Sequence, residues 1–114
     1  AEAQVSKDGT ADSTSLGYIN SLRERANSGS NTSNISLADL TLDFILDERS
    51  RELHWEAHRR QDLIRFGKYT GGVYNWAWKG NGINGVPLSD NLKLFPIPEA
   101  ALASNPNLTQ NTGY

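Results

Sequence analysis

The chain has 114 residues, a net charge of -2 at neutral pH and 37% hydrophobic residues, enough for a small body with a thin core. The near-balanced charge gives no broad positive field for nucleic acid or an anionic membrane, and the absence of Cys excludes disulfides, thiolate metal sites and Cys nucleophiles. No apolar run reaches the length of a membrane span or a signal-peptide core, and Met is absent even at position 1, so the expectation is a processed or cut portion of a longer chain, with any targeting segment outside these residues.

Residues 1–12 carry no apolar periodicity and read as a polar lead-in. Leu16, Ile19 and Leu22 then recur at three-residue spacing, and Arg23 and Arg25 follow where cations suit the helix dipole. This predicts a helix over about 15–26. Asn27 to Asn34 is rich in turn formers and low in complexity, the mark of a surface loop.

Ser36 with Asp39 three residues later resembles a capping box, and it opens the longest periodic segment, predicted as a helix over about 37–67 with a bend near Ala57. At ~100° per residue, Leu42, Ile45, Leu46 and Leu53 fall on one stripe. Arg49 sits in that stripe with Glu52 and Glu56 at its edge. An ion on an apolar seam is costly unless paired, so Arg49, Glu52 and Glu56, joined by Arg59 or Arg60, are expected to form a structural ion network. Leu63, Ile64 and Phe66 continue the buried face, and Gly67 is a natural left-handed terminator.

Residues 68–114 read as loop-rich. Tyr74, Trp76 and Trp78 alternate at period two, which in an extended chain places the three rings on one face, and the pairs Asn81-Gly82 and Asn84-Gly85 favour tight turns. Leu94 to Pro98 is extended, because each proline restrains the residue before it. Pro98 then starts a helical turn through Glu99 to Leu102, and the tail from Ser104 to Tyr114 is polar and irregular.

Three blocks together carry a family resemblance: LTLDFILDERSRELHWEAHRRQDLIRFGKY at Leu40 to Tyr69, KLFPIPEAALASNPNL at Lys93 to Leu108, and the closing TQNTGY. In order and spacing they resemble the C-terminal portion of SusD/RagB proteins. His54, Trp55 and Gln61 depart from the usual flavour of the first block. The resemblance implies a mainly α fold, with residues 1–114 a single piece from the C-terminal part of a tetratricopeptide-like α-helical superhelix, a long loop-rich region and short extended segments. It also implies non-catalytic binding of oligosaccharide or polysaccharide at the surface of the bacterial outer membrane. The ligand is then delivered to a SusC-like TonB-dependent transporter, and the membrane is touched only through a lipid anchor outside these residues. No cofactor is implied.

The residues offer other chemistries. His54 and His58, four apart on a helix, could grip Zn²⁺ in a metal-dependent hydrolase, but Glu56 would point roughly 160 to 200° away from both rings and no third ligand is evident. No metal site is expected. Asp43, Asp47, Glu48, Glu52, Glu56 and Asp62 lie among arginines, which favours ion pairing over the two facing carboxylates a glycosidase needs. The basic cluster from His58 to Lys68 is interrupted by Asp62, which argues against nucleic acid. Tyr74, Trp76, Trp78 and Asn81 are the candidate ligand-binding residues: aromatic faces pack on the C–H face of a pyranose, and an amide bonds its hydroxyls. The alternative is a structural or protein-interaction segment whose rings only pin the loop to the helices.

Overall fold

A computed structural model describes all residues, Ala1–Tyr114. The chain is mainly helical, with no β-strand, and no helix is long and apolar enough to cross a membrane. It divides into two compact units, Ala1–Arg59 and Arg60–Tyr114.

The first unit opens with a helix where the sequence suggested a featureless lead-in. Helix α1 spans Glu2–Asp8 and buries Val5. It ends at Gly9, whose φ of 71° lets its N–H reach back to the Val5 carbonyl at 2.9 Å. Two turns are too short for periodicity to register, and packing against its neighbours holds the helix.

Helix α2, Ser13–Ala26, matches the expected helix. Asp12 caps it by accepting the Ser15 N–H at 2.7 Å. The loop that follows is pinned to this helix by side chains. Asn20 both donates to the Ile35 carbonyl and accepts its N–H, at 3.1 and 3.0 Å, and Arg23 Nε donates to the Ser33 carbonyl.

The expected helix over 37–67 is broken in two places. The capping box of Ser36 and Asp39 forms, but it starts only a 3₁₀ turn, Leu37–Asp39. The chain leaves helical geometry at Leu40, which is buried. A second cap, Thr41 accepting the Phe44 N–H at 3.1 Å, then starts helix α3, Leu42–Glu52. Helix α3 stops at Leu53. Residues 53–57 turn, with Trp55 and Ala57 both left-handed at φ 69° and 60°, before helix α4, Arg59–Arg65. The bend expected near Ala57 is therefore a full interruption.

Helix α1 packs on α2 and α3. The core between them is Val5, Ile19, Leu40 and Ile45, with Leu16, Ile35, Leu42 and Phe44 packed against it. This small apolar centre organises the first unit.

The second unit is tied together mostly by polar contacts. Gly67, with φ 68°, ends α4 as expected, and the next two amides fold back onto the Leu63 carbonyl at 2.7 and 3.0 Å. Gly71 pairs with Leu88 in one antiparallel bridge. The hydroxyl of buried Thr70 donates to Asp90, which also receives Lys93 Nζ at 2.8 Å. Arg60 donates to the carbonyls of Leu92 and Lys93 at 2.8 and 3.1 Å. Its guanidinium lies over the rings of Tyr69 and Phe95, at 5.1 and 4.2 Å from their centroids.

Leu94 enters its segment extended, at φ -101° and ψ 158°, and Pro98 leads directly into helix α5, Glu99–Ser104. The tail is irregular, as expected, but it is tethered. Gln110 accepts the Ile97 N–H at 2.8 Å and donates to the Ile97 carbonyl at 2.9 Å. Asn111 donates to the Phe95 carbonyl at 2.8 Å, and the Tyr114 hydroxyl to that of Leu94 at 2.7 Å. Neither proline of this segment has an N–H to offer, so polar side chains from the tail satisfy the exposed backbone of Leu94 to Pro98 in place of a partner strand.

Candidate functional site

The candidate binding residues lie on the Gly71–Leu88 segment, and their geometry differs from an extended strip. Tyr74 and Trp76 do come together, with ring centroids 6.0 Å apart at an interplanar angle of 55°. Past Trp76 the chain turns. Trp78 takes a left-handed conformation, φ 69° and ψ 4°, and caps a 3₁₀ turn, Lys79–Asn81. Strict alternation at period two is thus lost at Trp78, because neither a strand partner nor a flat backbone path exists there. Asn81 is itself left-handed at φ 65° and exposed.

The path of this segment is set by short backbone contacts. Trp78 N–H bonds the Gly82 carbonyl at 3.0 Å, Gly85 N–H bonds the same carbonyl at 2.8 Å, and Val86 N–H bonds the Lys79 carbonyl at 2.9 Å. Gly85 is required here. Its φ is +75°, and a Cβ at this position would lie well inside contact distance of the Trp76 carbonyl oxygen.

Exposure separates the rings. Tyr74 is half-buried, Trp76 is 39% exposed and Trp78 67% exposed, with Val73, Ile83 and Val86 also open to solvent nearby in the chain. The segment therefore presents indole surface to solvent. Lys68 Nζ lies 5.3 Å from the Tyr74 ring centroid.

Lys79 is the site residue that the sequence reading missed. It is 2% exposed. Its ammonium donates to the Tyr74 carbonyl at 2.6 Å and the Gly71 carbonyl at 3.2 Å, and it lies 4.9 Å from the Trp76 ring centroid. Nothing in the sequence signals its burial, only that no acid stands near to pair with it, the nearest along the chain being Asp62 and Asp90. A lysine in such an aromatic, glycine-rich stretch is ordinarily solvated, and only once the fold buries it must carbonyls and ring faces hold it.

The expected ion network takes other partners. Arg49 Nε pairs with Glu2 of α1 at 3.8 Å, Glu52 with Arg25 of α2, and Arg59 with Asp47 at 3.5 Å. Arg59 also donates to the Leu46 carbonyl at 2.9 Å. Glu56 lies exposed in the interruption after α3. The buried ion of this helix is Glu48 rather than Arg49. One Glu48 oxygen accepts from Arg23 at 2.7 Å and from Arg51 at 2.6 and 3.0 Å, and both guanidiniums lie over the Phe44 ring. A cleft of about 260 Å³ opens beside this group, lined by Arg23, Asn27, Ser33, Glu48, Arg51 and Glu52. It is far less suited to sugar stacking than the indoles, since its charges already satisfy one another.

His54 and His58 lie in the interruption 53–58 and not on successive turns of one helix, so the i, i+4 geometry for gripping a metal is missing. His54 instead meets the Trp55 ring edge-on at 5.9 Å.

Comparison with known proteins places these features in a family. The SusD family model matches residues 1–114. The starch-binding protein SusD of Bacteroides thetaiotaomicron is 38% identical over 114 residues, which is all of this chain and 19% of that protein. The solved structure of a SusD superfamily protein from Parabacteroides distasonis matches with a TM-score of 0.67 and 30% identity, covering all of this chain and 24% of that one. The chain thus spans about a fifth of the length of the curated relative it matches. With the family model matched from end to end, and with helices, LFPIP segment and tethered tail in place, the chain belongs to the SusD family.

Proposed function

We propose that the protein carrying this chain captures an oligosaccharide at the bacterial outer-membrane surface without cleaving it. It would then pass the ligand to a SusC-like TonB-dependent transporter, held to the membrane by a lipid anchor outside these residues. The supporting observation is the pair of solvent-facing indoles, Trp76 and Trp78, on a loop fixed by internal contacts. Rings that are rigid before the ligand arrives lose little entropy on binding, and they offer apolar area to the C–H face of a pyranose. Asn81, exposed on the next turn, supplies an amide for hydroxyl groups.

A binding role suits the chemistry of the segment. Hydrolysis of a glycoside requires two carboxyls about 5 to 9.5 Å apart across the bond, and Lys68 to Ser89 contains none. Tyr74, half-buried against Trp76, fits a packing role within the platform. The similarity to a starch-binding protein makes malto-oligosaccharides the first ligands to try.

Calorimetry of the complete protein with maltoheptaose and a panel of other glycans, alongside a reducing-end assay, tests the proposal. Binding without new reducing ends is expected, and Trp76→Ala or Trp78→Ala should weaken it roughly tenfold or more, in line with the loss of one stacked ring. Wild-type affinity in both variants would remove the indoles from the site, and release of reducing ends would make the protein an enzyme.

A further inference from the structure

Between Gly71 and Lys79 no regular ladder holds the chain. Backbone bonds fix its two ends, and one side chain closes it across the middle, with the Lys79 stem buried and its ammonium bonded to the carbonyls of Gly71 and Tyr74, eight and five residues back. An ammonium has three N–H donors. Two are used by these carbonyls, and the charge lies 4.9 Å from the centroid of the Trp76 indole, within the range at which a cation is attracted to a ring face. The attraction is stronger here because the group is desolvated, at 2% exposure.

We propose that Lys79 is the positioning residue of the aromatic surface: its buried ammonium ties Gly71 and Tyr74 together and fixes the Trp76 ring on which a sugar stacks. The proposal rests on the glycan-capture reading above. Lys79 does not itself touch ligand. It acts by holding the indole in one orientation before binding, so its loss weakens affinity even where the fold survives. An oriented ring also makes the surface selective for the sugar face that matches it.

The complete protein labelled with 5-fluorotryptophan separates the two steps, with the Trp76 resonance assigned from Trp76→Phe. Lys79→Met keeps the length and apolar stem but carries no charge. It should shift or broaden the Trp76 fluorine signal and reduce affinity for maltoheptaose, or for the panel glycan that binds, by roughly three- to tenfold. It should have little further effect when Trp76 is already Ala. An unmoved Trp76 signal overturns the proposal, and so does an equal loss of affinity in the Trp76→Ala background, because Lys79 would then act independently of the ring. If Trp76→Ala leaves affinity unchanged, Trp76 is no part of the sugar surface and the positioning role fails, whereas the glycan-capture reading fails only if Trp78→Ala also leaves it unchanged. If Trp76→Ala weakens binding while Lys79→Met moves the signal but not the affinity, only the positioning role fails. Should Lys79→Met not fold, Lys79→Arg and Lys79→Gln read the same quantities. The retained cation of Arg is expected to stay closer to wild type in both signal and affinity, and equivalence of the two variants overturns the proposal.

Discussion

Glu48 and Arg49 show how one residue's difference in helical position decides which charge is buried. The stripe of Leu42, Ile45, Leu46 and Leu53 runs past Arg49, yet Glu48 is the ion that ends 8% exposed, because α2 brings Arg23 against that side of α3. Two guanidiniums share one carboxylate oxygen. Glu48→Gln should therefore destabilise by about 2 to 3 kcal/mol, since both cations lose their counter-ion at once. Urea denaturation measures it, and a loss within the range of exposed pairs would mean that solvent already screens the group. A second contrast concerns glycines with positive φ. Gly29, at φ +85°, has open space where a Cβ would go, whereas Gly85 has the Trp76 carbonyl there. Gly29→Ala is expected to cost about 1 to 2 kcal/mol of left-handed strain. Gly85→Ala should cost about 1 to 3 kcal/mol more through overpacking, a difference readable from paired denaturation curves.

Elements in this chain are short, and each depends on what ends it. Two N-terminal signals five residues apart, Ser36 and Thr41, split what periodicity reads as one helix start, and the split lets Leu40 drop into the core. At the other end of the chain, the tail replaces a β-strand with amide side chains. Gln110 alone supplies both bonds to Ile97 and also accepts the Asn111 N–H at 2.9 Å. Gln110→Ala should free the tail from Leu94 to Pro98 at a cost of about 1 to 3 kcal/mol of local stability. Faster exchange of the Ile97 amide is the expected sign, with the amides of α2 unaffected.

At the scale of the whole molecule, the two units rely on different forces. The first has an apolar core, and the second is held by side chain to backbone bonds and ion pairs, of which Asp90 is the hub between Thr70 and Lys93. The hydrogen bond from Lys93, then that from Thr70, hold the Asp90 carboxyl below the ordinary carboxylate range. A carboxyl with a depressed folded value adds stability at pH above its unfolded value, and that stability is lost as pH falls through the folded value. The contact that joins Thr70, Asp90 and Lys93 should thus weaken on acidification below the usual Asp range. Protection factors of the Gly71 amide, bonded to Leu88, followed from about pH 5 down to about pH 2 will show it. Asp90→Asn should flatten that dependence.

The sequence by itself determined what local chemistry can encode. Helix α2, the Ser36 capping box, the Gly67 terminator, the extended LFPIP segment and the helix start after Pro98 all follow from periodicity, caps or proline, which act over a few residues. The family was legible for the same reason, in three blocks of ordered motifs. Tertiary structure alone decided the rest. Helix α1 exists because Val5 finds a core, and the chain breaks at Trp55 and Ala57 although neither is a residue that favours a left-handed backbone. The partners of Arg49 and Glu52 come from α1 and α2, beyond the reach of any spacing rule within one helix. Lys79 is buried only because the loop folds two carbonyls and an indole around it. Such long-range neighbours depend on how the chain returns on itself, and residue spacing carries no record of that path.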